Sequence, residues 1–259
     1  MRVALLIVAL VFAAAGAEAA DPPLARARML YNAADYDGAI AAAGMARAQA
    51  STADAAALVE ARARLERFRR GGDAMDLTGA RDALNATRPA LLSPRDQVDY
   101  LIGLGQSLYL AGFFGSAAEL FDTSLERSAA LPERDRQMLL DWWATALDRD
   151  AQGSPPERRA RLAAQIAERM DEELRRDPGS VPANYWLAVA ARASGDLDTA
   201  WDAAVAAWVR ATLSPASVQL RADVDRLVME VLIPERARVR RETTDVLRAQ
   251  WNTVKEDWK

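Results

Sequence analysis

The sequence predicts an all-α protein, an α-solenoid in which about six antiparallel helix hairpins stack on one another. Alanine, the best helix former, supplies 57 of the 259 residues, against 13 glycines and 11 prolines. No segment alternates apolar and polar residues as a half-buried strand would. A pattern of small residues recurs along the chain, and turn-forming residues separate its occurrences. Together these features favour helical hairpins from one end of the mature chain to the other.

The first element, 1–19, has the pattern of a cleavable secretory signal. An arginine precedes an apolar run over 3–15, and Ala17 and Ala19 supply the small residues that a signal peptidase accepts. The run is shorter than the ~20 apolar residues of a membrane-spanning helix. We therefore expect cleavage before Ala20, with an uncleaved N-terminal anchor as the alternative. Arginine outnumbers lysine 31 to 2, a bias of GC-rich genomes, so a bacterial periplasmic or secreted location is expected.

The repeating elements share a small residue that is followed twelve positions later by an alanine. The pattern occurs three times, as Ala27 and Ala39, Gly105 and Ala117, and Ala188 and Ala200. Such a pair is typical of two antiparallel helices that cross closely, because a larger side chain would hold them apart. The segment over 132–176 is helical but off this pattern, and its helices are expected to be longer.

These segments resemble the tetratricopeptide repeat (TPR), whose pattern is W-x2-L-G-x2-Y, then A-x3-F, then P. The match is good over 101–124, fair over 184–207 and degenerate over 27–46. Alanines of the second helices are spaced nearer 40 residues apart than the family's 34, so the chain is TPR-like. The resemblance implies a TPR-like solenoid over 20–233.

The resemblance also implies a non-catalytic module that binds a protein or peptide in the groove lined by the first helix of each hairpin. On this chain the groove positions of the better repeats are Asp99, Ile102, Gln106, Tyr109, Tyr185, Trp186, Val189 and Arg192. The weakest repeat would add Arg28, Tyr31 and Asn32. Tyrosine and tryptophan suit such a surface, since they bring a large contact area at low entropic cost. The alternative for Tyr109 and Trp186 is packing between neighbouring hairpins.

The amino-acid composition excludes several kinds of catalytic and metal-binding site. The chain has no histidine and no cysteine, which excludes a Ser-His-Asp triad, a thiolate nucleophile and the usual zinc ligands. No cofactor or metal is expected, and a net charge of -4 disfavours nucleic acid as a partner. Two acidic runs, 148–150 and 171–173, have the pattern of solvated helix faces. The alternatives to an interaction module are an all-helical envelope enzyme that uses a carboxylate, and a structural subunit that stacks end to end.

The last element, 234–259, is predicted as a single helix that caps the solenoid or docks a partner. Apolar residues recur along it at helical spacing: Val239, Val246, Leu247, Trp251, Val254 and Trp258. Mixed charge on its other face argues against membrane binding. Elsewhere, Trp142 and Trp143 are adjacent, and adjacent helical residues diverge by about 100°. One of the two rings is therefore expected on an irregular or exposed patch.

Overall fold

The structure, a computed structural model, describes residues 22–127, 131–213 and 218–258. The expected signal segment 1–19 lies outside these residues. Across the described ranges the chain is all-helical, without a strand. A π-helical turn, Val228–Leu232, joins α11 and α12 into one continuous run, so these ranges hold twelve separate helices. None of them combines the length and the apolar composition that a membrane crossing requires.

The helices follow one another through short turns. Their bounds are α1 (Pro23–Asn32), α2 (Tyr36–Arg47), α3 (Ala53–Gly71), α4 (Ala74–Ala86), α5 (Pro94–Leu110), α6 (Phe114–Glu126), α7 (Glu133–Gln152), α8 (Pro156–Arg176), α9 (Val181–Ala193), α10 (Leu197–Thr212), α11 (Val218–Leu227), α12 (Ile233–Arg240) and α13 (Thr244–Asp257). As the sequence predicts, α7 and α8 are long, with 20 and 21 residues.

Capping side chains fix several helix starts. The side chains of Asp35, Ser93 and Asp196 each accept a hydrogen bond from the backbone N–H three residues later, at 3.0, 3.1 and 3.0 Å. Each bond satisfies one of the N–H groups that the first turn of a helix leaves without a partner. Proline in the first turn of α5 and α8 adds a backbone angle already suited to the helix.

Three turns between consecutive helices are built alike. Ala34, Gly112 and Gly195 lie between α1 and α2, α5 and α6, and α9 and α10, with φ of 60°, 85° and 84°. In each turn this residue's N–H donates to the carbonyl three residues back, and the next N–H donates to the carbonyl five residues back. The left-handed conformation suits glycine and costs an alanine energy. One hairpin turn thus occurs three times.

The helices pack in neighbouring pairs, each against the next in sequence. The odd-numbered helices also touch one another: α1 meets α3, α3 meets α5, α7 meets α9, and α9 meets α11. The rings of Tyr109 and Trp142, 5.2 Å apart, join α5 to α7. We call the surface shared by α1, α3, α5, α7, α9 and α11 the odd-helix face.

The small residues of the repeat pattern are all buried, as their phasing predicts: Ala27, Ala39, Gly105, Ala117, Ala188 and Ala200. At Gly105 a Cβ atom would lie 2.5 Å from the ring of Phe121, so α6 approaches α5 as closely as only glycine permits. Larger side chains fill the two main clusters of the core. Phe121 and Trp143 lie in the one around α5 to α9, and Trp208 and Trp251 in the one around α9 to α13.

The C-terminal segment differs from the single helix expected over 234–259. Arg241, with φ 56°, ends α12, and α13 begins at Thr244. The apolar residues that recur along this segment therefore do not share one environment. Leu247 and Trp251 are buried against the preceding helices, whereas Val239, Val246 and Trp258 remain exposed.

Candidate functional site

The eight predicted groove residues all lie on two odd-numbered helices, α5 and α9. They differ in accessibility. Asp99, Ile102, Gln106 and Trp186 are buried, Tyr109, Tyr185 and Val189 are partly buried, and Arg192 is exposed. Ile102 and Trp186 belong to the large core cluster, so both side chains pack between helices. Among these eight residues, the partly exposed aromatic side chains are therefore Tyr109 and Tyr185.

Toward the N-terminus, ion pairs cross the odd-helix face from helix to helix. They are Arg28–Asp96 between α1 and α5, Arg62–Asp99 between α3 and α5, and Arg95–Asp135 between α5 and α7, each at 2.9 Å. The Arg62 guanidinium also lies over the ring of Tyr31, 4.7 Å from its centre. These contacts occupy Arg28, Tyr31 and Asp99, three of the residues that the repeat pattern assigns to the groove.

Toward the C-terminus, the same face carries carboxylates without a basic partner. Asp141 and Asp148 stand two turns apart on α7, and neither forms an ion pair with the described residues. The Asp141 carboxylate accepts a 2.8 Å hydrogen bond from the indole N–H of Trp186. Burial raises the pKa of Asp141; Asp223 adds to this effect, and the hydrogen bond from Trp186 opposes it. The charge of Asp148 nevertheless acts on the guanidinium of Arg192, whose pKa it helps to raise.

Tyr185 lies among these acids. Burial, followed by the carboxylates of Asp223, Asp141 and Asp148, raises the pKa of Tyr185 to about 12. Its hydroxyl has no hydrogen-bond partner among the described residues. Asp223, on α11, lies 3.3 Å from Arg226, one turn further along the same helix. The phenol therefore stays protonated at neutral pH and remains a free donor.

Arg192, also a predicted groove residue, is engaged within the chain. Its guanidinium donates to the Glu235 carboxylate at 2.6 and 3.0 Å, joining α9 to α12. These hydrogen bonds lower the pKa of Glu235. A partner that used Arg192 would first have to displace Glu235.

Gln106 is largely buried, but its side-chain amide, which has no hydrogen-bond partner among the described residues, still reaches solvent. It stands two turns after Asp99 on α5, on the same side of the helix. Tyr109 follows one turn later and touches the rings of Phe114 and Trp142, both at 5.2 Å. The aromatic contact that joins α5 to α7 therefore lies one helical turn beyond Gln106.

The burial of individual side chains bears on two expectations from the sequence. Trp143 is buried and Trp142 is partly buried, and both rings pack in the same core cluster, so neither lies on an exposed patch. The interpretation of 171–173 as a solvated face is wrong for Glu173, which is buried beneath Arg136, 2.7 Å away, and Arg176. Burial raises the pKa of Glu173, but the hydrogen bonds from Arg176 and Arg136 outweigh it and leave the pKa lowered.

One cavity lies away from the predicted residues. A cleft of about 540 Å³ lies between α8 and α9. It is lined by alanines and by the charged residues Glu168, Asp171 and Arg175 of α8, together with Ala190 and Ser194. A second cleft of about 200 Å³, between Trp143 and Arg169, lies on another side of α8. The described residues contain no cluster of acidic side chains arranged to hold a metal ion.

The acids Asp141, Asp148 and Asp223 were not among the residues predicted from sequence. The repeat pattern does not extend over α7, so it assigned no groove positions there. One signal was available: residues seven apart on a helix share a face, which applies to Asp141 and Asp148. Nothing local in the sequence places Asp223 near Tyr185, because that proximity depends on how α11 packs against α9.

Compared with known proteins, the chain matches no family model, no curated protein and no solved structure.

Proposed function

We propose that this chain is an exported bacterial protein-interaction module without catalytic activity of its own. Its hairpins form a TPR-like solenoid, and the odd-helix face is the concave surface that binds a peptide or protein segment. In this proposal the signal segment directs the chain to the periplasm or beyond, and the C-terminal helices close one end of the solenoid.

The observation that carries the proposal is the recurrence of one hairpin. The turns at Ala34, Gly112 and Gly195 have the same hydrogen bonds, and each follows a buried small residue of the repeat pattern by seven positions. Repeated hairpins that stack in register bring their first helices together in one layer. The contacts between successive odd-numbered helices support such a layer.

Side chains on this layer support a binding role. Tyr109 and Tyr185 are partly exposed, and the described residues provide no hydrogen-bond partner for either hydroxyl. Aromatic residues with a free polar group are typical anchors in protein interfaces. Both tyrosines rest on core residues, so their rings are held in place before a partner arrives.

The test is capture of a partner from the envelope fraction of the native host. Intact mass first shows whether the purified chain begins at Ala20; retention of the initiator methionine would contradict export with cleavage. Immobilised mature protein is then compared with Tyr109→Ala and Tyr185→Ala, with bound proteins identified by mass spectrometry. Truncating an anchor typically costs about 2 kcal/mol or more of binding energy, about thirtyfold in affinity.

The matched control is Met45→Ala, which truncates an exposed apolar side chain on the even-numbered helix α2. It should bind as the wild type does. Circular dichroism melts separate loss of binding from loss of fold. If both tyrosine variants keep their fold and capture the same proteins as the wild type, the odd-helix face is not the binding surface.

A further inference from the structure

The helix α8, the longest that the structure describes, has one side that the described residues leave largely uncovered. Its buried side consists of Ala163, Ile166, Met170 and Glu173. The opposite side, which we call the outer face of α8, consists of the residues within about 60° of Ala164 around the helix. They are Glu157, Ala160, Arg161, Ala164, Ala167, Glu168, Asp171 and Arg175. Apart from the partly buried Ala167, all of them are exposed.

The charged residues of the outer face have no partner within the described chain. Neither an ion pair nor a side-chain hydrogen bond engages Glu157, Arg161, Glu168, Asp171 or Arg175. Arginines toward the edge of the same helix are different, because they form the pairs Arg158–Asp150, Arg169–Asp122 and Arg176–Glu133. The unpaired charges are therefore confined to the side of α8 that another molecule can reach.

The cleft of about 540 Å³ between α8 and α9 opens along the outer face. Three small residues of that face line it: Ala160, Ala164 and Ala167. The wall on the side of α9 is also made of small residues, Ala190 and Ser194. Because the distance between packed helices depends on the side chains at the contact, small residues on both walls let a further helix approach closely.

The order of the charges along α8 indicates what that helix is. Glu157 and Arg175 lie equally far from Ile166 along the chain, and so do Arg161 and Asp171. In a two-fold symmetric contact, residue i of one copy meets residue j of the other, and j meets i. If two α8 helices lie antiparallel with the axis at the level of Ile166, both pairs bring an acid to a base, and each pair occurs twice. The outer face is thus complementary in charge to itself.

We infer that the chain forms a symmetric dimer through the outer face of α8, so that a second copy of this chain occupies the cleft. The two α8 helices run antiparallel, with Glu157–Arg175 and Arg161–Asp171 salt bridges between the copies. Ala164 lies near the two-fold axis, where the helices approach most closely. This inference is independent of the proposed function, because α8 is an even-numbered helix and does not belong to the odd-helix face.

The contact is small, so the dimer is expected to be weak. With 21 residues, α8 is about 30 Å long, and two crossing helices of that length bury less than a standard protein interface. Exposed ion pairs contribute little each and are screened by salt. Sedimentation velocity of the mature chain over a range of concentrations should show a monomer–dimer equilibrium in the micromolar range, and added salt should shift it toward the monomer.

Charge reversal tests the pairing. Arg161→Glu places a second acid opposite Asp171, twice in the dimer, and should weaken dimerisation about tenfold. Asp171→Arg should weaken it by a similar factor, and the double variant, which restores opposite charges, should dimerise as the wild type does. The matched control is Arg210→Glu, at an exposed arginine of α10 without an ion pair among the described residues, and it should have no effect. Circular dichroism melts confirm that each variant is folded.

Cross-linking tests the antiparallel order, since the chain has no cysteine of its own. In the proposed dimer the two copies of Ala164 are four residues apart along the helix axis, about 6 Å, whereas the two copies of Ala160 are twelve apart, about 18 Å. A short bis-maleimide should therefore link Ala164→Cys to itself much faster than Ala160→Cys. A parallel pair of helices would link both at similar rates.

Several outcomes would overturn the inference: a chain that stays monomeric at about 1 mM, dimerisation that Arg161→Glu leaves unchanged, a double variant no better than the single ones, or equal cross-linking at the two alanines. The envelope pull-down separates this inference from the proposed function. A monomeric chain that still captures a partner through Tyr109 or Tyr185 would leave the proposed function standing and remove the dimer.

Discussion

Between α1 and α4 the buried apolar side chains are mostly alanine, and the buried carboxylates of Asp54, Glu60 and Asp76 are each paired with arginine. From α9 to α13 the core instead contains Trp251, fully buried, with Trp201 and Trp208 against its ring at 6.1 and 5.4 Å. One end of the molecule is therefore held largely by ion pairs around small side chains, and the other by aromatic packing.

The difference shows that helix pairs joined by the same kind of turn can pack around two different kinds of core. Alanines let helices approach closely, but each buries little apolar area, and burial stabilises in proportion to that area. Arginine–carboxylate pairs add specific contacts between α1 and α4 at the cost of desolvating charges. Tryptophan buries far more area per residue. We therefore expect the two ends to respond to different substitutions.

The largest effect is expected from Trp251→Ala. The change removes a fully buried ring and leaves Asp225 without the indole N–H that donates to it at 2.7 Å. Tryptophan-to-alanine changes in a core cost about 3–5 kcal/mol of unfolding free energy. Urea denaturation followed by circular dichroism measures it. Trp258→Ala, at a half-exposed position just past the end of the same helix, is the control, and an equal loss there would contradict aromatic packing as the main contact of this end.

The ion-paired end offers a comparison around a single arginine. Arg67 pairs both with Asp76, whose side chain is 5% exposed, and with Asp37, whose side chain is 82% exposed. Asp76→Ala leaves the guanidinium without its buried partner and should cost about 2–3 kcal/mol. Asp37→Ala breaks a surface pair and should cost less than about 1 kcal/mol. Equal losses in urea denaturation would show that burial does not set the strength of these pairs.

The sequence predicted those features of the fold that depend on residues close together in the chain. Turn-forming residues marked the boundaries between helices, and the twelve-residue spacing identified small residues that the structure buries. It did not predict the break at Arg241, because that turn lacks the usual glycine or proline. Nor did it predict the inward position of Glu173, since its partner Arg136 comes from another helix.

The features of the candidate site also fall into those that the sequence indicates locally and those that depend on packing. The repeat pattern assigned its groove positions to α5 and α9, because such positions follow from helical periodicity. It could not give the accessibility of the residues on them. Whether Asp99 is free or paired depends on Arg62, from α3, and the charge around Tyr185 depends on Asp223, from α11. Such contacts between distant parts of the chain arise from how the helices pack together. The sequence of a single helix does not determine that packing.

The smallest effect compares the hairpin turns at the two ends. Ala34 adopts the left-handed conformation that Gly195 adopts in the corresponding turn. That conformation costs a residue with a Cβ about 1–2 kcal/mol, partly offset by the greater freedom that glycine loses on folding, about 0.5–1 kcal/mol. Ala34→Gly should therefore raise the unfolding free energy by about 0.5–1 kcal/mol, and Gly195→Ala should lower it by a similar amount. No atom lies within 4 Å of the position of a Cβ at Gly195. The loss of unfolding free energy in Gly195→Ala would therefore come from the backbone conformation alone. If Ala34→Gly destabilises instead, the first turn does not bear the strain that its backbone angle implies, and the hairpins at the two ends are not equivalent.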